Sequence, residues 1–275
     1  MTKLMGIVNV TPDSFSDGGL FLDPDRAIEH ARELVRDGAD LVDVGGESTR
    51  PGALGVSARE ELERVGPVLE GLRDLPVPIS IDTSKSAVAE VALKWGAAIV
   101  NDVTALRSDP KLAALCAERR CGVLLMHMKG TPRTMQDDPA YEDVLDEVKA
   151  FLAERISFAV AEGIGEDRIW VDPGIGFAKT VDQNLELLRR LGELRELGRP
   201  IVVGTSRKSF IGRLTGREVR ERLGGTIASN VLALRAGADV LRVHEVAEAR
   251  QAVRVAEAIL ERSAMTSGPG SGPEG

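Results

Sequence analysis

Short apolar runs rich in β-branched residues alternate along the chain with longer segments of helical period. This alternation is typical of repeated βα units on a parallel sheet, whose buried strands are apolar on both faces. We count eight units. The predicted strands cover residues 4–10, 39–45, 78–82, 97–103, 122–127, 168–172, 200–205 and 238–244.

A segment of helical period follows each predicted strand. Ser57 and Glu60 have the spacing of a capping box at one start, and Gly38, Gly96 and Gly198 are stop signals. The predicted helices cover residues 25–37, 57–74, 85–95, 110–120, 141–162, 182–197, 219–236 and 247–262, with a short helical turn at 209–214.

Eight βα units match an α/β fold of the (β/α)₈ TIM-barrel type, because a doubly wound open sheet usually has fewer strands. No Pro/Gly-rich stretch inside the body indicates a domain boundary. We therefore expect a single domain over residues 1–265. The segment TSGPGSGPEG, residues 266–275, has no core-forming residue, and we expect a disordered C-terminal tail.

Composition and charge exclude several classes of function. The chain has 35 basic and 43 acidic residues, a net charge of −8 and only 3% aromatic residues, so we expect no nucleic-acid partner. Its apolar runs are far shorter than a membrane span, and its first residues lack a signal-peptide pattern. We expect a cytoplasmic protein without a membrane partner, with Cys116 and Cys121 as ordinary reduced thiols.

Polar or ionisable residues follow every predicted strand. In a barrel of this kind these positions point into one shared mouth. They are Asn9, residues 45–50, Asp82, Asn101, Asp102, His127, Asp172, residues 206–209, Arg242 and His244. The set mixes cations, carboxylates and an amide, which suits a heterocycle carrying a phosphate group: arginine and lysine can hold the phosphate, and carboxylates can accept from an amidine-like ring edge.

Two connections are long for βα loops, residues 9–23 and 45–56. Their Gly, Pro, Ser and Thr content is typical of mobile surface loops. We interpret both as lids that close over a substrate and exclude water.

Eight ordered motifs make this chain resemble the dihydropteroate synthase family over about residues 4–258. They are MGIVNVTPDSFSDGG, DVGGESTRPGA, SIDTSK, IVNDV, LLMHMKGTPRTMQ, DPGIGF, GTSRKSFIG and RVHEV. The resemblance implies condensation of 6-hydroxymethyl-7,8-dihydropterin pyrophosphate with para-aminobenzoate, with Mg²⁺, to give 7,8-dihydropteroate and pyrophosphate. It also implies that pyrophosphate leaves first and that the aniline nitrogen then attacks a pterin-methyl cation.

The resemblance assigns roles to residues of this chain. It implies that the pterin is held by Asp82, Asn101, Asp172, Lys208 and Arg242, and para-aminobenzoate by Thr49, Pro51, Phe177, Lys208 and Ser209. It implies catalytic roles for Asp82, Lys208, Arg242 and His244, a Mg²⁺ ligand in Asn9, and lid roles for Asp13, Phe15 and Arg50. A homodimer through the outer helices would be usual for such a relative. Ile175 and Ala178 depart from the family pattern, which commonly has an aromatic residue and Gly there.

Structural interpretations stand beside several of these roles. Asp172 before Pro173 and Gly174 is also turn chemistry, and His127 is either a core-facing residue or a substrate contact. We interpret Asp43 and Glu47 as structural. Two other functions share part of the pattern: a pterin-dependent methyltransferase that uses methyl-tetrahydrofolate and a corrinoid protein, and a non-catalytic pterin-binding paralogue. The first would not need the lid at residues 9–23 or the cations Lys208 and Arg242.

Overall fold

The computed structural model describes residues 1–11, 23–49, 52–53, 55–130 and 140–266. Eight strands alternate with helices, as the apolar pattern predicts. The strands are β1 (Lys3–Asn9), β2 (Leu41–Gly45), β3 (Ile79–Asp82), β4 (Ile99–Asp102), β5 (Gly122–Met126), β6 (Ile169–Asp172), β7 (Val202–Val203) and β8 (Val240–Val243).

The strands form one parallel sheet that is nearly closed into a barrel. Their order in the sheet is β6-β5-β4-β3-β2-β1-β8-β7, so sequential strands are neighbours and β1 pairs with β8. An isolated parallel bridge between Val171 and Ile201 joins the two ends of the sheet. The predicted (β/α)₈ architecture is confirmed.

The helices lie between successive strands of this sheet. They are α1 (Pro24–Arg36), α2 (Ala58–Gly71), α3 (Ser86–Lys94), α4 (Leu112–Arg119), α5 (Val144–Ala161), α6 (Val181–Arg189), α7 (Ser209–Thr215), α8 (Leu223–Arg235) and α9 (Val246–Thr266). Ser57 caps α2 by accepting from the backbone N–H of Glu60, whose carboxylate pairs with Arg64 instead of returning to the cap. Thr180 and Gln183 form a complete capping box at α6.

Two predicted helices are shorter than the periodicity indicates. The segment predicted over 182–197 is α-helical only to Arg189 and continues as a 3₁₀ helix over Leu191–Leu197. The segment predicted over 219–236 begins with a 3₁₀ turn, Val219–Glu221, before α8. The apolar spacing is compatible with both helix types, and tertiary packing selects the tighter one over short stretches.

Two apolar layers surround the strands. The larger layer lies between the sheet and the helices, and a smaller cluster fills the barrel interior with Met5, Leu41, Ile99, Leu124, Val202 and Val240. Cys116 and Cys121 are buried free thiols, as predicted. Among the described helices, none has both the length and the apolar character of a membrane span. Thr266 still belongs to α9, and the remainder of the predicted tail, 267–275, lies outside the described residues.

Candidate active site

The interior cluster identifies which residues of each strand point into the barrel. Because side chains alternate between the two faces of a strand, residues two and four positions further along point the same way. Asp43 therefore points the same way as Leu41, and Asn101 points the same way as Ile99. Arg242 and then His244 point the same way as Val240. The polar residues at the strand ends therefore stand on top of the apolar interior layer.

Four of these side chains form a buried polar cluster. The guanidinium of Arg242 donates from Nε to Asp43 Oδ2 at 2.7 Å and from Nη2 to Asp82 Oδ2 at 2.9 Å. Asn101 Nδ2 donates to the same Asp43 oxygen at 3.0 Å. The predicted pterin residues Asp82, Asn101 and Arg242 are thus brought together, with Asp43 as their common partner.

Two carboxylates, Asp43 and Asp82, share the cation of Arg242 in this cluster, and the pKa of Asp82 is shifted. Burial raises the pKa of Asp82 to about 8, and the neighbouring charge of Asp43 adds to the effect while Arg242 opposes it. Burial works against the charge of Arg242, but Asp43 and Asp82 outweigh it and raise the pKa of the guanidinium. Arg242 therefore stays charged, while Asp82 exchanges its proton near neutral pH.

A second group of site residues lies at the ends of β6 and β7. Asp172 is 5% exposed, and its Oδ1 accepts from the Gly174 backbone N–H at 2.7 Å. Lys208 donates to the Ile175 carbonyl and lies 4.7 Å above the ring of Phe177. Burial raises the pKa of Asp172, against the charge of Lys208, and lowers the pKa of Lys208 to about 8.

His244 at the end of β8 contacts a serine from the neighbouring strand end. Ser206 Oγ lies 2.8 Å from His244 Nδ1, so the serine fixes this side of the imidazole. The next residue, Arg207, has a left-handed backbone with φ of 58° and donates from Nε to Glu245 Oε1 at 2.5 Å. These contacts connect the β7 loop to the end of β8.

A cavity of about 560 Å³ opens over these groups at the carboxyl end of the barrel. This volume lies in the usual range for small-molecule sites. Predicted site residues lining it are Asn9, Thr49, Asp82, Phe177, Lys208, Ser209, Arg242 and His244. The predicted residues Asn101 and Asp172 are not among those that line this cavity. Asn101 is linked to it through Asp43 and Arg242, and Asp172 through the turn that follows β6.

Four predicted residues lie outside the described part of the chain. They are Asp13, Phe15, Arg50 and Pro51. Their assigned roles in the lids and beside para-aminobenzoate stay predictions. His127, which the sequence leaves open between core and substrate contact, is 4% exposed and contacts Lys179 Nζ at 2.9 Å.

Sequence reasoning missed the part of Asp43 in this site. Its structural interpretation is incomplete, because the fully buried carboxylate contacts both Arg242 and Asn101. The alternation of side chains along β2 could have predicted this, because Asp43 is two residues after Leu41 and points to the same face of the strand. Glu47 binds Lys85 Nζ at 2.6 Å and accepts from the Val56 backbone, which anchors the second long loop, but it also lines the cavity, so its structural interpretation is incomplete as well.

The rate should depend on pH through Asp82 and Lys208. Asp82 must lose its proton to act as an anion, and Lys208 must keep its proton to act as a cation, while burial brings the pKa of each to about 8. We expect kcat/KM to follow a narrow bell with its maximum near pH 8. In Lys208→Arg the alkaline limb should disappear, since arginine stays charged, although the maximum falls. Initial rates between pH 6 and 10 measure this, and an unchanged alkaline limb in the variant would contradict it.

Comparison with known proteins agrees with this geometry. The family model described as pterin binding enzyme matches residues 5–244. A dihydropteroate synthase from Synechocystis sp. is 46% identical over 260 residues, which cover 94% of this chain and 90% of that protein. The dihydropteroate synthase of Yersinia pestis, solved with a sulfonamide drug complex, superposes with a TM-score of 0.92 at 42% identity, covering 94% of both chains. The Xanthomonas albilineans enzyme in complex with 7,8-dihydropteroate has a TM-score of 0.85 at 44% identity, again covering 94% of each chain.

Proposed function

The chain belongs to the dihydropteroate synthase family of pterin-binding transferases in folate biosynthesis, and on this premise we propose how its barrel mouth carries out the reaction. The substrates are 6-hydroxymethyl-7,8-dihydropterin pyrophosphate and para-aminobenzoate, and the products are 7,8-dihydropteroate and pyrophosphate. The observation that carries the proposal is the buried cluster in which Arg242 bridges Asp43 and Asp82 beside Asn101. A related synthase bound to 7,8-dihydropteroate supports this product.

The pterin binds over the polar cluster. Asp82, Asn101 and Asp172 supply the acceptors that its amino-pyrimidinone edge requires, and Asn101 also supplies a donor. Lys208 supplies a cation at the side of the ring facing Phe177. The guanidinium of Arg242 is flat and is already held on one edge by Asp43, so it can lie against the ring without losing its position.

The reaction begins with heterolytic cleavage of the bond between the pterin methylene carbon and the pyrophosphate oxygen. The electron pair leaves with the pyrophosphate, where Arg242 and His244 stabilise the developing negative charge. The anionic form of Asp82 stabilises the positive charge on the pterin. The aniline nitrogen of para-aminobenzoate then forms the new C–N bond and loses a proton. No protein nucleophile takes part.

Para-aminobenzoate binds between the turn after β6 and the start of α7. Thr49, Phe177, Lys208 and Ser209 line the cavity there, and we assign Pro51 to the same wall. Asp13, Phe15 and Arg50 on the two lids would close over the site before ionisation, since water would otherwise trap the cation. A sulfonamide, which resembles para-aminobenzoate, would occupy the same place.

The chemistry of the mouth fits Mg²⁺ as the metal of this reaction. Among the described residues there is no cluster of three or more His, Cys, Asp or Glu side chains that could hold a metal ion. Mg²⁺ commonly binds through one or two protein oxygens together with substrate phosphates and water. The half-buried Asn9 at the end of β1 offers such an amide oxygen toward the cavity. When bound, the ion would neutralise charge on the departing pyrophosphate.

Pyrophosphate release tests the activity. We expect pyrophosphate release when both substrates and Mg²⁺ are present. Removal of Mg²⁺ by EDTA should strongly reduce the release, and restoring Mg²⁺ should recover it. No release above a heat-killed control, with an intact circular dichroism spectrum, would overturn the synthase and favour the non-catalytic pterin-binding paralogue. Full pyrophosphate release in the presence of EDTA would overturn only the proposed requirement for Mg²⁺. The relatives described above are dihydropteroate synthases and do not favour the corrinoid-dependent methyltransferase.

We also propose a cytoplasmic homodimer. Helices α6, α7 and α8 border a groove of about 620 Å³ lined mainly by apolar side chains. Leu185, Leu214 and Leu232 are 39%, 55% and 58% exposed along it. Clustered exposed leucines of this kind commonly mark a protein interface, and a second copy of the chain would cover them.

A further inference from the structure

A buried lysine lies behind the turn that follows β6, outside the reaction described above. Lys179 is 3% exposed. Its Nζ lies 2.9 Å from His127 Nδ1, 3.0 Å from the Gly174 carbonyl oxygen and 2.9 Å from the Phe177 carbonyl oxygen. An amino group has three such contacts to make, and here all three are made within the protein.

His127 can complete this arrangement in either protonation state of the lysine. Burial lowers the pKa of His127 to about 2 and that of Lys179 to about 7, so the imidazole is neutral throughout the working range. As an ammonium, Lys179 donates to Nδ1; as an amine, it accepts from a protonated Nδ1 and still donates to both carbonyls. The imidazole is held edge-on against Phe151, with ring centroids 4.9 Å apart.

The turn needs such an anchor because its backbone is constrained. A Cβ on Gly174, which has φ of 69°, would overlap the His127 carbonyl oxygen, so the turn lies directly on the end of β5. Ala178 has φ of 51°, a left-handed conformation that an alanine adopts at a cost of about 1 kcal/mol. Lys179 follows this strained residue, and its ammonium donates to the carbonyls of Gly174 and Phe177 earlier in the turn.

The same turn forms one wall of the cavity. The Ile175 carbonyl accepts from Lys208, and the Phe177 ring lies 4.7 Å from the Lys208 ammonium. We propose that Lys179, held by His127, is a positioning residue that sets Phe177 and the Ile175 carbonyl for binding of the aromatic amine. The inference rests on the proposed function, because it assigns this wall to para-aminobenzoate.

The pterin side of the site should be much less sensitive to Lys179. Asp82, Asn101 and Arg242 are held by one another and by Asp43, on strands that do not contact the turn through Lys179. Asp172 contacts the same turn, because its Oδ1 accepts from the Gly174 backbone N–H, but its position is set by β6, and the charge of Lys179 acts on it less than the charges of Lys208 and Arg242. If Lys179 were purely structural, its replacement would lower the stability and change the KM values for both substrates together. Replacement of a positioning residue changes the KM for one substrate.

Steady-state kinetics of Lys179→Met test the proposal. Methionine keeps the length and apolar stem but makes none of the three bonds. We expect the KM for para-aminobenzoate to rise about tenfold, which corresponds to about 1.4 kcal/mol. The KM for the pterin pyrophosphate should stay within about threefold of the wild-type value. The matched control is Lys149→Met, which removes an ion pair with Glu196 on the outside of the barrel and should change neither KM.

A double-mutant cycle identifies His127 as the partner. His127→Leu should raise the same KM, and the double variant should be no worse than Lys179→Met alone, because residues that act as one unit are not additive. Equal rises in both KM values, or none in folded Lys179→Met, would overturn the proposal. If Lys179→Met folds poorly, comparison of His127→Leu with His127→Gln tests the proposal instead. Glutamine can keep a polar contact to Lys179, so the KM for para-aminobenzoate should rise less in His127→Gln than in His127→Leu. If the wild-type protein releases no pyrophosphate, the proposed function fails instead.

Discussion

Arg242→Met should lower kcat/KM by about 10³-fold and also destabilise the protein. In the proposed reaction the guanidinium faces both the pterin and the departing pyrophosphate, and removing one donor at such a site commonly costs 10²–10³-fold. The stability falls because Asp43 and Asp82 lose their shared cation inside the barrel. Breaking a buried ion pair on one side costs about 3–5 kcal/mol. Initial rates and urea unfolding measure the two effects separately.

Two further variants separate catalysis from folding in this experiment. Arg250→Met removes a partly buried guanidinium that binds the Gly38 carbonyl at the opposite end of the barrel, so it should destabilise the protein without lowering kcat/KM. The double variant Arg242→Met with Asp43→Asn removes one buried negative charge and should recover stability but not activity. A kcat/KM for Arg242→Met within tenfold of the wild-type value would contradict the central role of this residue.

Asp172→Ala should weaken binding of the pterin substrate by about 30-fold or more while the fold stays intact. A hydrogen bond to a charged group contributes about 1.5–3 kcal/mol. Burial raises the pKa of this carboxyl, and the charges of Lys208 and Arg242 oppose that effect. Asp172 Oδ1 also accepts from Gly174, so Asp172→Asn separates the two roles by keeping an oxygen there without the charge. Calorimetric titration with the pterin pyrophosphate measures the affinity.

The matched control for this carboxylate is Asp167→Asn. Asp167 is exposed on the 3₁₀ helix just before β6, so its charge lies at the far end of the same strand. The control should bind the pterin as the wild-type protein does. Unchanged affinity in Asp172→Ala would remove Asp172 from the site and favour the turn interpretation of Asp-Pro-Gly.

The order and type of the elements could be predicted from the sequence because they depend on local periodicity. Each strand appears as a short apolar run and most helices end within a few residues of their stop signals, as at Gly38 after α1 and Gly96 after α3. The 3₁₀ segments after α6 and before α8 could not be predicted, because i+3 and i+4 bonding give nearly the same apolar spacing.

By itself, the sequence determined the barrel, the family and the strand-end residues that face the mouth, because β alternation and ordered motifs are properties of neighbouring positions in the chain. Only the tertiary structure decided that Arg242 joins Asp43 to Asp82 and that Lys179 joins His127 to the turn after β6. Arg242 and Asp43 are 199 residues apart, and Lys179 and His127 are 52 apart. Closure of the sheet brings such pairs together, and the pKa of Asp82 follows from burial and charge that exist only once it has closed.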